Sequence, residues 1–125
     1  MYCFVESRAS SEHCGSLHED GEAAMKRFEA IPQWLNDAGV RDIYETDMRA
    51  LRASHTLVLL LPAGVSSHME AGIAWGMGKN VVLIGKPEKT ESLYHIFQET
   101  YDDVDVFIGS LQNDAVRRQQ VVSSV

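Results

Sequence analysis

Apolar residues along this chain fall into short unbroken runs and into stripes spaced three or four apart, with polar stretches between them. The clearest run is Leu57–Leu61, stopped by Pro62, and it predicts a strand buried on both faces of a parallel sheet. Gly64 loosens the turn that follows, Ser66 or Ser67 serves as the N-cap, and the pattern predicts helix to about Met77. Gly78-Lys79-Asn80 ends that helix, and Val81–Ile84 makes the next buried strand. Residues 56–84 therefore read as a βαβ unit. Ligands in open α/β sheets settle at the carboxyl ends of the strands, which is where the turn after Leu61 lies. Glu70 is expected in the first helical turn, facing that crevice.

On the N-terminal side, Tyr2–Val5 is a short β-favouring run, and residues 7–21 are a polar loop rich in Ser, Gly and His. From Glu22 to about Asn36 the spacing of Ala24, Phe28, Ile31 and Leu35 is helical, with Pro32 splitting or kinking the element and Gly39 closing it. A second helix runs from about Arg41 to Ala53 behind a stripe of Ile43, Tyr44, Met48 and Leu51, with Asp47 near the sheet-facing side. After Ile84, the pattern predicts a loop at Lys86–Lys89 and a short helix over Glu91–Glu99 with Leu93, Ile96 and Phe97 inward. A last strand at Val104–Ile108 and a helix from Leu111 to Val121 capped by Ser110 complete it, and the VVSSV tail is expected to fray. Strands alternating with helices predict an α/β fold, a flavodoxin-like or Rossmann-like three-layer sandwich on a mostly parallel sheet of about four or five strands. With no internal repeat or linker, residues 1–125 read as a single domain.

Composition narrows the partners. A formal charge of −7 over 125 residues argues against nucleic acid or an anionic membrane as the main partner. No apolar run approaches the roughly 18–20 residues that cross a bilayer, and no signal-peptide pattern opens the chain, so a cytoplasmic location is expected. Cys3 and Cys14 are too few for a disulfide framework, and with His13 and His18 they match no usual zinc spacing. His55, His68 and His95 show no i,i+3 or i,i+4 pairing, so no metal is expected.

The carboxylates carry the candidate chemistry. Ser67-His68-Met69-Glu70 has the form of a capping box, in which Glu70 folds back onto its own helix end. The same carboxylate, held ionised beside free helix amides, can act as a nucleophile toward an electrophilic sugar carbon. Asp47 is either a solvated helix carboxylate or the second acid of a pair converging on one crevice, the arrangement that glycosidic bond cleavage uses. Ser66, Ser67 and His68 are turn and cap residues or, at a helix N-terminus, ligands for phosphate or sugar oxygens. Gly72, Gly76 and Gly78 lie outside the turn that a dinucleotide fingerprint requires, and they let the helix pack closely on a neighbour. Trp75 reads as packing or interface surface.

Residues 47–53, DMRALRA, followed by the segment from Leu57 to Ile84, resemble the nucleoside 2-deoxyribosyltransferase family, in particular small members with a P-x-G-x-S-x-H-x-E-A-G segment. The resemblance spans roughly residues 40–111 and is most specific from Pro62 to Gly72, together with Asp47. It implies a flavodoxin-like fold, a homodimer or larger homo-oligomer, no cofactor, and cleavage or transfer of the N-glycosidic bond of (deoxy)nucleosides or nucleotides. The nucleophile would fall on Glu70, and an aspartate handling the base and its proton on Asp47. Gly64, Ser66, Ser67 and His68 would form the substrate turn, with Ser66 or Ser67 on a phosphate. Relatives carry another acid about six positions before the nucleophile, where this chain has Gly64, which leaves Asp47 or His68 to protonate the departing base. Tyr2–Val5 corresponds to either the first or the second strand of the family's sheet. The alternative is a non-catalytic module of the same fold that binds a nucleotide or related metabolite.

Overall fold

The structure, a computed structural model, describes residues 21–123, with side chains over 22–119. The expected strand at Tyr2–Val5, most of the polar loop, Cys3, Cys14, His13 and His18 lie outside the described residues, as do the last two residues of the tail. The chain divides between Ala53 and Ser54 into two compact units.

The first unit holds α1 (Gly21–Glu29), a 3₁₀ turn (Trp34–Asn36) and α2 (Ala38–Ala53). Pro32 falls in the turn between α1 and the 3₁₀ turn, so the proline divides the segment instead of kinking one long helix. Gly39, expected to close that segment, lies inside the first turn of α2. The reason is that Asp37 caps the helix and starts it three residues before Arg41: the amide of Val40 donates to Asp37 Oδ1 at 2.9 Å. Along α2, Leu51 is buried and Ile43 and Met48 half-buried, whereas Tyr44 is exposed.

The second unit is α/β. It comprises β1 (Thr56–Leu60), α3 (Val65–Gly76), β2 (Asn80–Ile84), a 3₁₀ turn (Ser92–Ile96), β3 (Glu99–Tyr101) and α4 (Val104–Ser123). The strands lie side by side in the order β1-β2-β3, all parallel, with Leu57 opposite Val81 and Leu83 opposite Thr100. Among the described residues the sheet has three strands, fewer than the four or five expected.

Position in the sheet explains the burial. The central strand β2 is covered on both faces, with Val81, Val82, Leu83 and Ile84 all buried. β1 was expected to be buried on both faces, but it alternates: Leu57 and Leu59 are buried and Leu60 is 53% exposed. Val82, Ile84 and Phe107 form one core cluster, with Val58 and Tyr101 packed against it. Each such fully buried side chain contributes about 1.5–3 kcal/mol.

The helix after β1 ends in a Schellman motif. Lys79 N donates to Ala74 O at 2.9 Å and Gly78 N to Trp75 O at 2.9 Å, with Gly78 at φ +77°. The end of the chain departs most from expectation. Val104–Ile108 is the start of α4 and not a strand, and Ser110 lies within that helix and does not cap it. Asp103 is the cap, accepting from the amide of Val106 at 2.9 Å, while the Ser110 hydroxyl donates to the carbonyl of Phe107 at 2.8 Å. The last strand is the polar run Glu99–Tyr101, and the helix expected over Glu91–Glu99 is only a 3₁₀ turn at Ser92–Ile96 before it. Gln98 fastens it: its amide N–H donates to Val81 O at 3.1 Å and its side-chain oxygen accepts from Val81 N at 2.8 Å. Of the residues expected to point inward there, Phe97 is buried and Ile96 half-buried, but Leu93 is exposed. No described helix is long and apolar enough to cross a membrane.

Candidate functional site

α3 starts at Val65, earlier than either serine could cap it, and its N-cap is Gly64 in extended conformation (φ −80°, ψ −177°) with no side-chain cap. The first amides of α3 are therefore left without a side-chain acceptor at the positive end of the helix dipole, which favours anions. Ser66 and Ser67 are the second and third helical residues and not caps.

This shift moves Glu70 as well. It is the sixth residue of α3, in the second turn, so the capping box does not form and the carboxylate does not serve the helix end. Glu70, Ala71 and Ala74 make the buried stripe of α3, the helix packing on β1 and β2. Among the described residues, Glu70 is the one polar side chain that is buried, at 8% exposure. A buried carboxylate needs compensating polar contacts, and Glu70 has an interaction within the protein. Helical side chains lean toward the helix N-terminus, so Glu70 leans toward the carboxyl ends of the strands. The opposite face is apolar and exposed, with Val65 at 78% and Met69 at 62%. Gly72 and Gly76 have no atom within 4 Å of a Cβ added to either, so within the described chain no neighbour packs against them. Trp75 is exposed.

A concavity of about 830 Å³ lies at the N-terminus of α3, lined by Ala63, Gly64, Val65, His68, Met69 and Lys89. His68 forms part of its wall and is held at both ring nitrogens: Nδ1 is 2.8 Å from Gly64 O, and Nε2 is 2.9 Å from the Tyr94 hydroxyl. A carbonyl only accepts, so Nδ1 carries a proton, and in the neutral ring Nε2 accepts the Tyr94 O–H. Tyr94 also stacks at an angle on His68 and on Phe97, with ring centroids 5.8 and 6.0 Å apart. The same segment begins at Glu91, whose carboxylate lies below the usual glutamate range. Its acceptance of the Leu93 amide is the larger cause and the Ser92 hydroxyl the next.

Of the residues singled out in the sequence, Gly64 and His68 are brought together in the wall of the concavity. Ser66 is exposed and Ser67 half-buried on the first turn of α3. Asp47 belongs to the first unit, half-buried on α2, and has an interaction within the protein. Sequence reading missed Lys89 and Tyr94. Lys89 stood in a loop with no motif, and Tyr94 meets His68 across 26 positions, a separation that no local pattern spans. A smaller hollow of about 310 Å³ in the first unit is lined by Ile31, Pro32, Gln33, Asn36 and Asp37. Its one carboxylate is occupied in capping α2. No group of three or more potential metal ligands occurs among the described residues.

Chemically, the concavity offers a cation, helix amides and an oriented imidazole, a set suited to an anionic or hydroxylated small molecule. No family description, curated protein or solved structure matches the chain.

Proposed function

We propose that the chain cleaves or transfers the N-glycosidic bond of a (deoxy)nucleoside or nucleotide, with Glu70 as nucleophile. The reading follows the resemblance to nucleoside 2-deoxyribosyltransferases and carries its flavodoxin-like three-layer fold and homo-oligomeric assembly. The observation that carries it is Glu70: a buried carboxylate in the second turn of α3, on the stripe that faces the strands. A carboxylate is seldom buried without a specific polar interaction, and a buried, partnered carboxylate is a candidate for chemistry. Glu70 attacks C1′, the base departs, and the glycosyl ester is resolved by water or by another base. Lys89 and the α3 amides favour a substrate with a 5′-phosphate over a bare nucleoside.

The experiment is mass spectrometry of the protein incubated with mixed nucleosides and nucleoside monophosphates, alongside Glu70→Gln. The expected result is a sugar adduct on the peptide bearing Glu70 and release of free base, both lost in the folded variant. Base release that survives Glu70→Gln refutes the assignment. A second reading, a non-catalytic nucleotide-binding module, draws on the lining of the concavity, which has Lys89 and His68 but no carboxylate. Saturable nucleotide binding by calorimetry with no base release would select it.

A further inference from the structure

The solvent side of α3 is built unlike the rest of the surface. Opposite the buried stripe of Glu70, Ala71 and Ala74 run Val65, Met69, Gly72 and Gly76, all exposed, with Trp75 exposed beside them. Positions 65, 69, 72 and 76 fall on one line of a helix. No charge interrupts that line, in a chain whose formal charge is −7. The ionisable side chains of α3 are Glu70, which is buried, and His68, which Gly64 and Tyr94 already hold. Apolar surface this continuous marks a place where something docks.

We infer that α3 docks antiparallel on the α3 of a second copy of this chain. The line is self-complementary. About a two-fold axis midway between positions 70 and 71, Val65 faces the partner's Gly76 and Met69 faces the partner's Gly72, and symmetry repeats both contacts. Bulk on one helix thus meets a gap on the other. No atom lies within 4 Å of a Cβ added at Gly72 or Gly76, so the gaps are open to a second helix, and without side chains there the two backbones approach closely. A net charge of −7 makes two copies repel over most of their surfaces, and the uncharged line of α3 lets them meet without like charges in contact.

The same pairing sets the partner's Trp75 level with Ser66, beside the wall that Val65, His68 and Met69 give the concavity. At about 830 Å³ the hollow is larger than one indole fills, so the indole narrows it from the Met69 side and leaves the Gly64 and Lys89 side open. Each copy completes the other's hollow. Two such helices, about 18 Å long for 12 residues, with one indole set in each hollow, bury roughly 1,000 Å² in all, the lower limit for a specific interface. The dimer is therefore a weak one, with a Kd of about 1–100 μM. The inference goes beyond the proposed chemistry: it stands on α3 alone and is read by association state, not by release of base.

Sedimentation equilibrium of the full chain across that concentration range should show monomer giving way to dimer. In a Trp34→Phe background Trp75 is the one remaining tryptophan, and its emission should shift to the blue over the same range. Gly72→Leu fills a gap without meeting anything in its own chain and should raise the Kd by about 10-fold or more. Adding Met69→Ala to Gly72→Leu moves the bulk to the other side of the contact and should recover most of the loss, which damage to folding would not do. Val106→Lys, exposed on α4, should leave the Kd unchanged. Protein that stays monomeric throughout overturns the inference, as does a dimer indifferent to Gly72→Leu. A monomer whose Trp75 emission shifts only when nucleoside monophosphates are added gives this face to a small ligand and overturns it equally.

Discussion

Gly85 closes β2 at φ +104°, and a methyl group there should destabilise the second unit more than any other single-carbon addition to its turns. Two effects add. The backbone lies in a region that costs an L-residue about 1–2 kcal/mol or more. The new Cβ would also stand 3.1 Å from Leu61 Cβ and 3.4 Å from Leu61 O. Neither neighbour is free to retreat, because Leu61 N donates to Ile84 O at 2.9 Å and Gly85 N donates to Tyr101 O at 2.8 Å. Together these place the cost of Gly85→Ala at about 2–4 kcal/mol. That is a large share of the roughly 5–15 kcal/mol that holds a domain of this size. Gly78→Ala is the internal control. Its φ of +77° carries the backbone cost, but no atom lies within 4 Å of the added carbon. Part of that cost is offset by the lower entropy of the unfolded alanine chain, leaving a net loss of about 1 kcal/mol or less. Urea unfolding followed by circular dichroism, with the slope required to stay constant, measures both. A Gly85→Ala protein no less stable than Gly78→Ala would refute the reasoning.

Asp103→Ala removes the α4 cap and should cost about 1 kcal/mol, with Asp103→Asn recovering most of it, both read by the same urea titration. Glu91 has a lowered folded-state pKa, so its contribution is full above the unfolded glutamate value, about pH 4.3, and is lost as pH falls through the lower folded value. The Leu93 amide, followed by NMR hydrogen exchange, should lose protection over that acid range, and Glu91→Gln should flatten the dependence. Protection that stays constant through the titration counts against the hydrogen bond as its cause.

The βαβ unit was legible because local and tertiary preferences agree there. Leu57 to Leu61 and Val81 to Ile84 signal two strands by composition, and the glycine at 78 marks the end of the helix between them. The start of α3 was misread because Ser66 and Ser67 are strong capping types, yet Gly64 takes the extended cap conformation and displaces Glu70 into the second turn. The last strand was invisible to hydrophobic pattern. Glu99 and Thr100 are exposed, and hydrogen bonds to β2 hold the strand in place, whereas Val104, Val106 and Ile108 alternate as a strand would and belong to a helix. In the candidate site, Gly64 and His68, singled out as turn residues and through the resemblance, lie in the wall of the concavity. Lys89 and Tyr94 reach it only through the return of the chain from β2 to β3.

That return has a consequence for dynamics. Residues 86–97 leave from the end of β2 and come back to its beginning, where both ends of Gln98 are tied to Val81. A segment anchored twice on one strand can lift away as a flap without unzipping the sheet beneath it. Its amides, those near Lys89 and Tyr94 included, should exchange with solvent through local openings, while those of Val81–Ile84 wait for the whole unit to unfold.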